Sequence, residues 1–166
     1  MSPRPEEAQI WAWLDAVPDP EIPVISVVDL GIVRNLRWVS LDSDEELVVA
    51  ITPTYSGCPA NTAIASDIEQ ALRQHGLGRV RIERQLMPPW TTDWMSERGR
   101  EKLAEYGIAP PVGLAADGAP SVARQVACPQ CHSARTSLVS RFGSTPCKAQ
   151  FRCDDCLEPF EYFKCL

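Results

Sequence analysis

The sequence predicts an α+β protein: a small three-stranded mixed sheet packed with helices, followed by a separate C-terminal β unit held together by cysteines. Three observations lead there. Apolar residues recur at helical spacing in two stretches of the first half. Three short runs between and after them are β-branched and flanked by turn residues. Six of the seven cysteines fall in the last 39 residues, four of them as two C-x-x-C pairs.

The elements follow in order. In "EEAQIWAWLDAV", Ile10, Trp11, Leu14 and Val17 form one apolar stripe, and Pro18 and Pro20 end the helix. "DPEIPVISVVDLG" is extended and turn-rich. "IVRNLRWVS" and "ELVVAITP" read as two strands of an antiparallel hairpin joined by "LDSDE". A helix is expected from Pro59 to His75, with Ile64, Ile68 and Leu72 on one face, "GLG" closing it and His75 favourably placed at its C-terminal end. "RVRIERQL" is a third strand. "SERGREKLAEYG" is a further helix, with Ser96 as N-cap and Gly107 as its stop. The Pro-, Ala- and Gly-rich stretch that follows reads as a linker. The expected division is therefore a domain over residues 1–108, a linker over 109–121 and a cysteine-rich domain over 122–166.

Charge and hydropathy exclude several functions. Residues 1–106 carry 10 Lys and Arg against 17 Asp and Glu, a balance of −7, which argues against nucleic acid as the main partner. No apolar run approaches the roughly 20 residues of a membrane span, and "MSPRPEEAQIWAW" does not read as a signal peptide. A cytoplasmic location with reduced thiols is expected, where an odd cysteine count points to metal or redox chemistry before disulfides.

Cys128 and Cys131 form one pair and Cys153 and Cys156 the other, with 21 residues between the pairs. Each pair makes a knuckle whose two sulfurs face the same way. A hairpin from "RTSLVSRF" and "KAQFR" brings the knuckles together as a zinc-ribbon-like S4 site, the tetrahedral set that a structural Zn2+ prefers. Iron or an iron–sulfur cluster can use the same four thiolates. "CPQCH" also fits a haem attachment motif, but that reading leaves the second pair without a role. Cys147 and Cys165 remain as buried apolar side chains or as extra thiols. His132 reads as an exposed neighbour of the first knuckle.

Cys58 stands alone in "TPTYSGCPANTAIASDIEQAL". Pro59 suits the first position of a helix, which places Cys58 at or next to the N-cap. Unsatisfied amides would then face its sulfur and favour the thiolate. Gly57 would leave room beside it, and Thr52, Thr54 and Ser56 add hydroxyls. A packed cysteine at a strand–helix corner fits the same residues. With His75 and His132 as the only histidines, a Cys–His hydrolase is poorly supported.

"DPEIPVISVVDLGIV" followed by "TPTYSGCP" resembles the small α+β family of metal–sulfur cluster biosynthesis. The matching positions are Asp19, Pro20, Glu21, Pro23, Asp29, Leu30, Gly31, Thr52, Thr54, Cys58 and Pro59, within a match over residues 5–108. "PPWTTDWMSERGREKLAEYGIAPP" and the tail "FGSTPCKAQFRCDDCLEPFEYFKC" are similar to the D components of bacterial phenylacetyl-CoA epoxidase systems, so nearly the whole chain is covered. One departure is His132, where such tails commonly carry Gly.

The resemblance implies an accessory role. The epoxidase forms a ring epoxide on phenylacetyl-CoA at a di-iron centre, fed by a reductase with flavin and a 2Fe–2S cluster. The D component is implied to help that system become or remain active by delivering iron or a cluster. This chain lacks the paired Glu-x-x-His motifs of a di-iron carboxylate site, so no catalytic oxygenase residues are expected. Cys58 would be a transient ligand for iron or a cluster, with Asp19, Glu21 and Asp29 lining the same surface or serving only in turns. The implied partners are the reductase or the di-iron oxygenase components and the Fe–S assembly machinery, with a homodimer left open. Trp90 and Trp94 would form an apolar contact or pack in the core. Three other classes compete: a zinc-ribbon scaffold with Cys58 purely structural, a nucleic-acid-binding regulator and a thiol enzyme.

Overall fold

The computed structural model describes residues 4–42, 44–55, 57–115 and 125–166. They gather into two compact units, residues 1–90 and 91–166.

In the first unit, α1 (Glu7–Asp15) buries Ile10 and Leu14, and Val17 follows at 4 % exposure. The chain then folds back on itself. The Asp19 amide donates to the Ile25 carbonyl at 2.8 Å and the Val27 amide to the Val17 carbonyl at 3.0 Å. β1 (Val33–Leu41) pairs antiparallel with β2 (Asp44–Ile51), as the hairpin pattern predicts. α2 (Asn61–Gln74) crosses over to β3 (Val80–Arg84), which lies parallel to β2. The sheet is thus three-stranded and mixed, in the order β1-β2-β3.

β2 is central and buried from Leu47 to Ile51, because both of its faces are covered. On one face Leu47 and Val49 pair with Trp38 and Leu36 on β1 and with Val80 and Ile82 on β3. On the other, Val48 is fully buried between its pairing partners Arg37 and Arg81. Their apolar stems shield it while the guanidinium groups bind Glu83 and Glu46.

α2 starts at Asn61, two residues later than the position of Pro59 suggests; its N-cap is Ala60, in a helical conformation and without a side-chain cap. Its end is built as a Schellman motif. The Leu77 amide donates to the Leu72 carbonyl, the Gly76 amide donates to the Arg73 carbonyl, and Gly76 takes φ +89°, where a side chain would strain. His75 is the C-cap and stacks on Trp13 at 4.4 Å. Trp90 belongs to this core. It is 5 % exposed and donates from Nε1 to the Leu30 carbonyl, so it is no contact surface.

The second unit begins with a short 3-10 turn, Thr92–Trp94, in which Trp94 is half-buried. α3 (Glu97–Glu105) follows, with the Ser96 Oγ accepting from the Gly99 amide at 2.9 Å as the capping pattern predicts. Gly107 stands directly after the C-cap Tyr106. A four-stranded sheet has the order β4-β7-β6-β5, from β4 (Ile108–Ala109), β5 (Thr136–Ser140), β6 (Lys148–Cys153) and β7 (Pro159–Phe163). β5 and β6 form the expected antiparallel hairpin. Its core joins Val126, Phe151, Phe160 and Tyr162 to the sulfurs of Cys128 and Cys153. The Tyr162 ring meets Phe151 edge-on at 5.6 Å.

The structure divides the chain at 90/91 rather than after residue 108. β4 pairs in parallel with β7. The Thr92 amide donates to the Leu166 carbonyl, and Arg100 holds the carbonyls of Thr92 and Pro111 at 2.9 Å each. These bonds make α3 and β4 part of the cysteine-bearing unit. Residues 116–124 of the expected linker lie outside the described residues. No helix among the described residues is long and apolar enough to cross a membrane.

Candidate metal centre and a buried thiol

The two C-x-x-C segments fold by the same bond pattern. The Cys128 amide donates to the Ser133 carbonyl, and the Cys153 amide donates to the Glu158 carbonyl, both at 2.9 Å. In each loop the residue directly after the second cysteine takes a left-handed conformation: His132 at φ +61° and Leu157 at φ +66°. That geometry lets the chain turn back under the sulfurs, and it is why a glycine suits the place that His132 fills. The His132 side chain is exposed and outside the sulfur cluster.

The four sulfurs converge. Cys128 and Cys156 Sγ are 3.7 Å apart, Cys131 and Cys153 Sγ are 3.5 Å apart, and all four lie within 4.8 Å of one another. Four thiolates at about 2.3 Å from a zinc ion stand about 3.8 Å from each other, so the donor set fits a tetrahedral S4 metal site. Cys128 and Cys153 are closed into the core, while Cys131 and Cys156 face solvent. The thiols are not equal acids. The Cys156 amide, then the Asp155 amide, donates to Cys153 and brings its thiol down to about 7 against the cost of desolvation. Cys156 accepts from the Glu158 amide, yet desolvation and the three neighbouring sulfurs push it up to about 12. Anionic sulfurs this close oppose one another, and a bound dication removes the conflict.

A polar clamp that the sequence does not reveal joins the knuckles. The Ser133 hydroxyl donates to Asp155, which also pairs with Arg135 at 3.0 Å. The Asp154 amide donates to the Arg135 carbonyl at 2.8 Å. Cys147 and Cys165 are buried away from the sulfur cluster, at 5 % and 8 % exposure, against the hydroxyls of Thr145 and Thr92 at 3.0 and 3.4 Å.

Cys58 lies in the loop between β2 and α2, with Thr52, Thr54, Gly57 and Pro59. Its surroundings differ from the expectation. It stands two residues before the N-cap, its amide donating to the Tyr55 carbonyl and its carbonyl accepting from the Asn61 amide. The N-cap placement of its sulfur therefore does not hold. It is also 8 % exposed. Gly57 is not required for space, since a Cβ there would come no closer than 3.9 Å to the Tyr55 ring. Thr52 is 1 % exposed, and its hydroxyl has no hydrogen-bond partner among the described residues. The start of this loop is tied to the Asp-Leu-Gly turn, the Thr52 amide donating to the Ile32 carbonyl at 2.9 Å.

The carboxylates near that turn serve the backbone. Asp19 Oδ1 accepts from the amides of Glu21 and Ile22 at 2.9 and 2.7 Å. Asp29 is fully buried; its Oδ2 accepts from the Ser26 amide, and the Ser26 hydroxyl accepts from the Asp29 amide. Glu21 is half-buried. Asp19 and Asp29 thus organise turns, whatever else they do.

Comparison with known proteins matches two separate parts of the chain. Residues 7–83 match the family model of an iron–sulfur cluster assembly protein. Residues 115–164 match that of the PaaD zinc beta ribbon domain. A domain of unknown function from Bacillus anthracis is 29 % identical, with a TM-score of 0.51, over 58 % of this chain and 90 % of that one. A conserved hypothetical protein from Thermotoga maritima is 33 % identical, with a TM-score of 0.50, over 62 % of this chain and 98 % of that one. A curated relative from Escherichia coli (strain K12), described as the D component of 1,2-phenylacetyl-CoA epoxidase, is 48 % identical over 162 residues, covering 98 % of this chain and 94 % of the relative. With a cluster-assembly fold, a four-thiol ribbon and that identity along almost its whole length, the chain belongs to the family of phenylacetyl-CoA epoxidase D components.

Proposed function

We propose that this protein is an accessory maturation factor of a phenylacetyl-CoA epoxidase system, assisting the delivery of iron or an iron–sulfur cluster, and not itself the oxygenase. The observation that carries this reading is the union, in one chain related throughout to an epoxidase D component, of a cluster-assembly unit and a tetrathiolate site. It acts in the cytoplasm. Zinc fills the four-cysteine site and has a structural role: the sulfurs have tetrahedral spacing, and two of them are built into a hydrophobic core. Cys58 is the transient ligand for the cargo. A lone thiolate binds iron weakly and reversibly, which suits transfer better than storage. With Cys58 8 % exposed, loading requires its surroundings to open.

That same burial favours a second reading, in which Cys58 only packs the loop and the protein is a zinc-ribbon scaffold of the epoxidase complex. Complementation of a strain lacking the gene separates the two. Under the delivery reading, folded Cys58→Ser and Cys58→Ala proteins fail to restore epoxidase activity, and the client component is isolated with low iron or cluster occupancy. Full restoration by either variant removes the delivery role and leaves the scaffold.

A further inference from the structure

β5 is the outermost strand of its sheet, and the chain from Ser137 to Phe142 is exposed throughout. Three large apolar side chains lie along it: Leu138 at 40 % exposure, Val139 at 63 % and Phe142 at 66 %. The edge is not shaped to accept another strand. Its pairing with β6 steps from Leu138↔Phe151 to Ser140↔Gln150, which leaves Val139 as a bulge that interrupts the ladder. Nor is Phe142 a frayed side chain. Its amide donates to the Ser140 hydroxyl, that hydroxyl donates back to the Phe142 carbonyl, and the Lys164 ammonium sits 4.7 Å from the ring centre. The aromatic group is held exposed in a fixed place, a low-entropy anchor for a partner.

Charge says what kind of partner fits. Most carboxylates of this region are engaged within the unit: Asp154 by Ser137, Asp155 by Ser133 and Arg135, Glu161 by Lys148. Arg141, next to Phe142, and Arg152, opposite Ser137 in the ladder, are exposed, and neither forms an ion pair among the described residues. The edge therefore carries three exposed apolar side chains and, at Arg141 and Arg152, two guanidinium groups without an ion pair among the described residues. Nucleic acid is a poor match, because Lys and Arg only equal Asp and Glu in number over residues 91–166.

We propose that the β5 edge, through Val139, Phe142, Arg141 and Arg152, docks an acidic and apolar segment of one of the epoxidase components. This rests on the accessory role proposed above and names the surface that serves it. The test measures binding of the full-length, metal-loaded protein to each purified epoxidase component at low and high salt. Two variants are compared with the parent, Val139→Ser/Phe142→Ser and Arg141→Glu/Arg152→Glu, together with the exposed first-unit control Arg84→Glu. The expected result is binding to one component, weakened about tenfold or more by each double variant, with the loss from charge reversal largest at low salt and none from the control. Metal content and thermal unfolding of the double variants stay at parental values. Unchanged affinity, an equal loss in the control, absence of binding by the parent, or an effect confined to self-association of this protein each overturns the proposal. Parental complementation of the epoxidase strain is scored in parallel. If it succeeds while the surface variants bind normally, the docking surface alone fails; if the parent itself does not complement, the accessory role fails with it.

Discussion

Ser133 and Asp155 bridge the two knuckles: the first follows Cys131 by two residues, the second lies inside the Cys153–Cys156 loop, and the hydroxyl of one donates to the carboxylate of the other. With Arg135 on the same carboxylate, this contact fixes the spacing of two sulfur pairs that come from distant parts of the chain.

Removing the clamp should loosen the metal without touching a ligand. Asp155→Ala is expected to raise the rate of metal release to a chromogenic chelator by about tenfold, in the range typical of groups that orient metal ligands. Arg135→Gln should do less, because its partner keeps the serine. A parental release rate in Asp155→Ala would show that the knuckles hold their spacing unaided.

The left-handed residues make an independent prediction about backbone strain. Leu157→Gly should stabilise the metal-loaded second unit by about 1 kcal/mol, and His132→Gly by less, since histidine tolerates that conformation better than leucine. Both variants should keep one metal per chain. Loss of metal from His132→Gly would mean that the imidazole does more for the site than its exposed position allows.

Glu161 gives the second unit a pH dependence. Its side chain is partly desolvated, which alone would raise its pKa, but hydrogen bonds from Lys148 and the Ser144 amide outweigh that and hold it below the ordinary carboxylate value. A depressed folded-state pKa contributes stability that is present above the unfolded value of about 4.3 and is lost as pH falls through the folded one. The parent is thus expected to lose stability in that acidic window, and Glu161→Gln to show a flatter profile there. At neutral pH Glu161→Gln should cost about 3 kcal/mol, because it strands the buried Lys148 ammonium. Thermal melts across pH read both effects.

Breaking the S4 set should act locally. Cys128→Ser or Cys153→Ser is expected to collapse amide dispersion for residues 91–166 in NMR spectra while leaving residues 4–90 unchanged, since these two sulfurs are packed among Phe151, Phe160 and Tyr162. Native dispersion in a metal-free variant would show that the aromatic core suffices.

The elements that sequence announced are those specified by local chemistry. The periodic apolar residues of α2, the Ser96 cap and the paired cysteines each carry a short-range signal, and each is found where it points. What stayed hidden depends on partners far along the chain. β4 is two residues long, ahead of "PP", and becomes a strand only because β7 offers an edge. β7 itself opens on Pro159, directly after the second knuckle, where the cysteine pattern dominates the reading. The Ser133–Asp155 contact spans 22 positions and leaves no periodic trace. At Cys58 a local rule misled: Pro59 signals a helix start, yet the first turn forms two residues on, and Cys58 is buried.

The sulfur cluster is sealed on one side only. An oxidant or alkylating reagent arriving from water meets Cys131 and Cys156 and does not meet Cys128 or Cys153. Damage to the ribbon therefore has a direction. One rim cysteine from each knuckle is struck first, so a single reagent in water reaches half of the donor set and finds the inner pair shielded among the aromatic side chains.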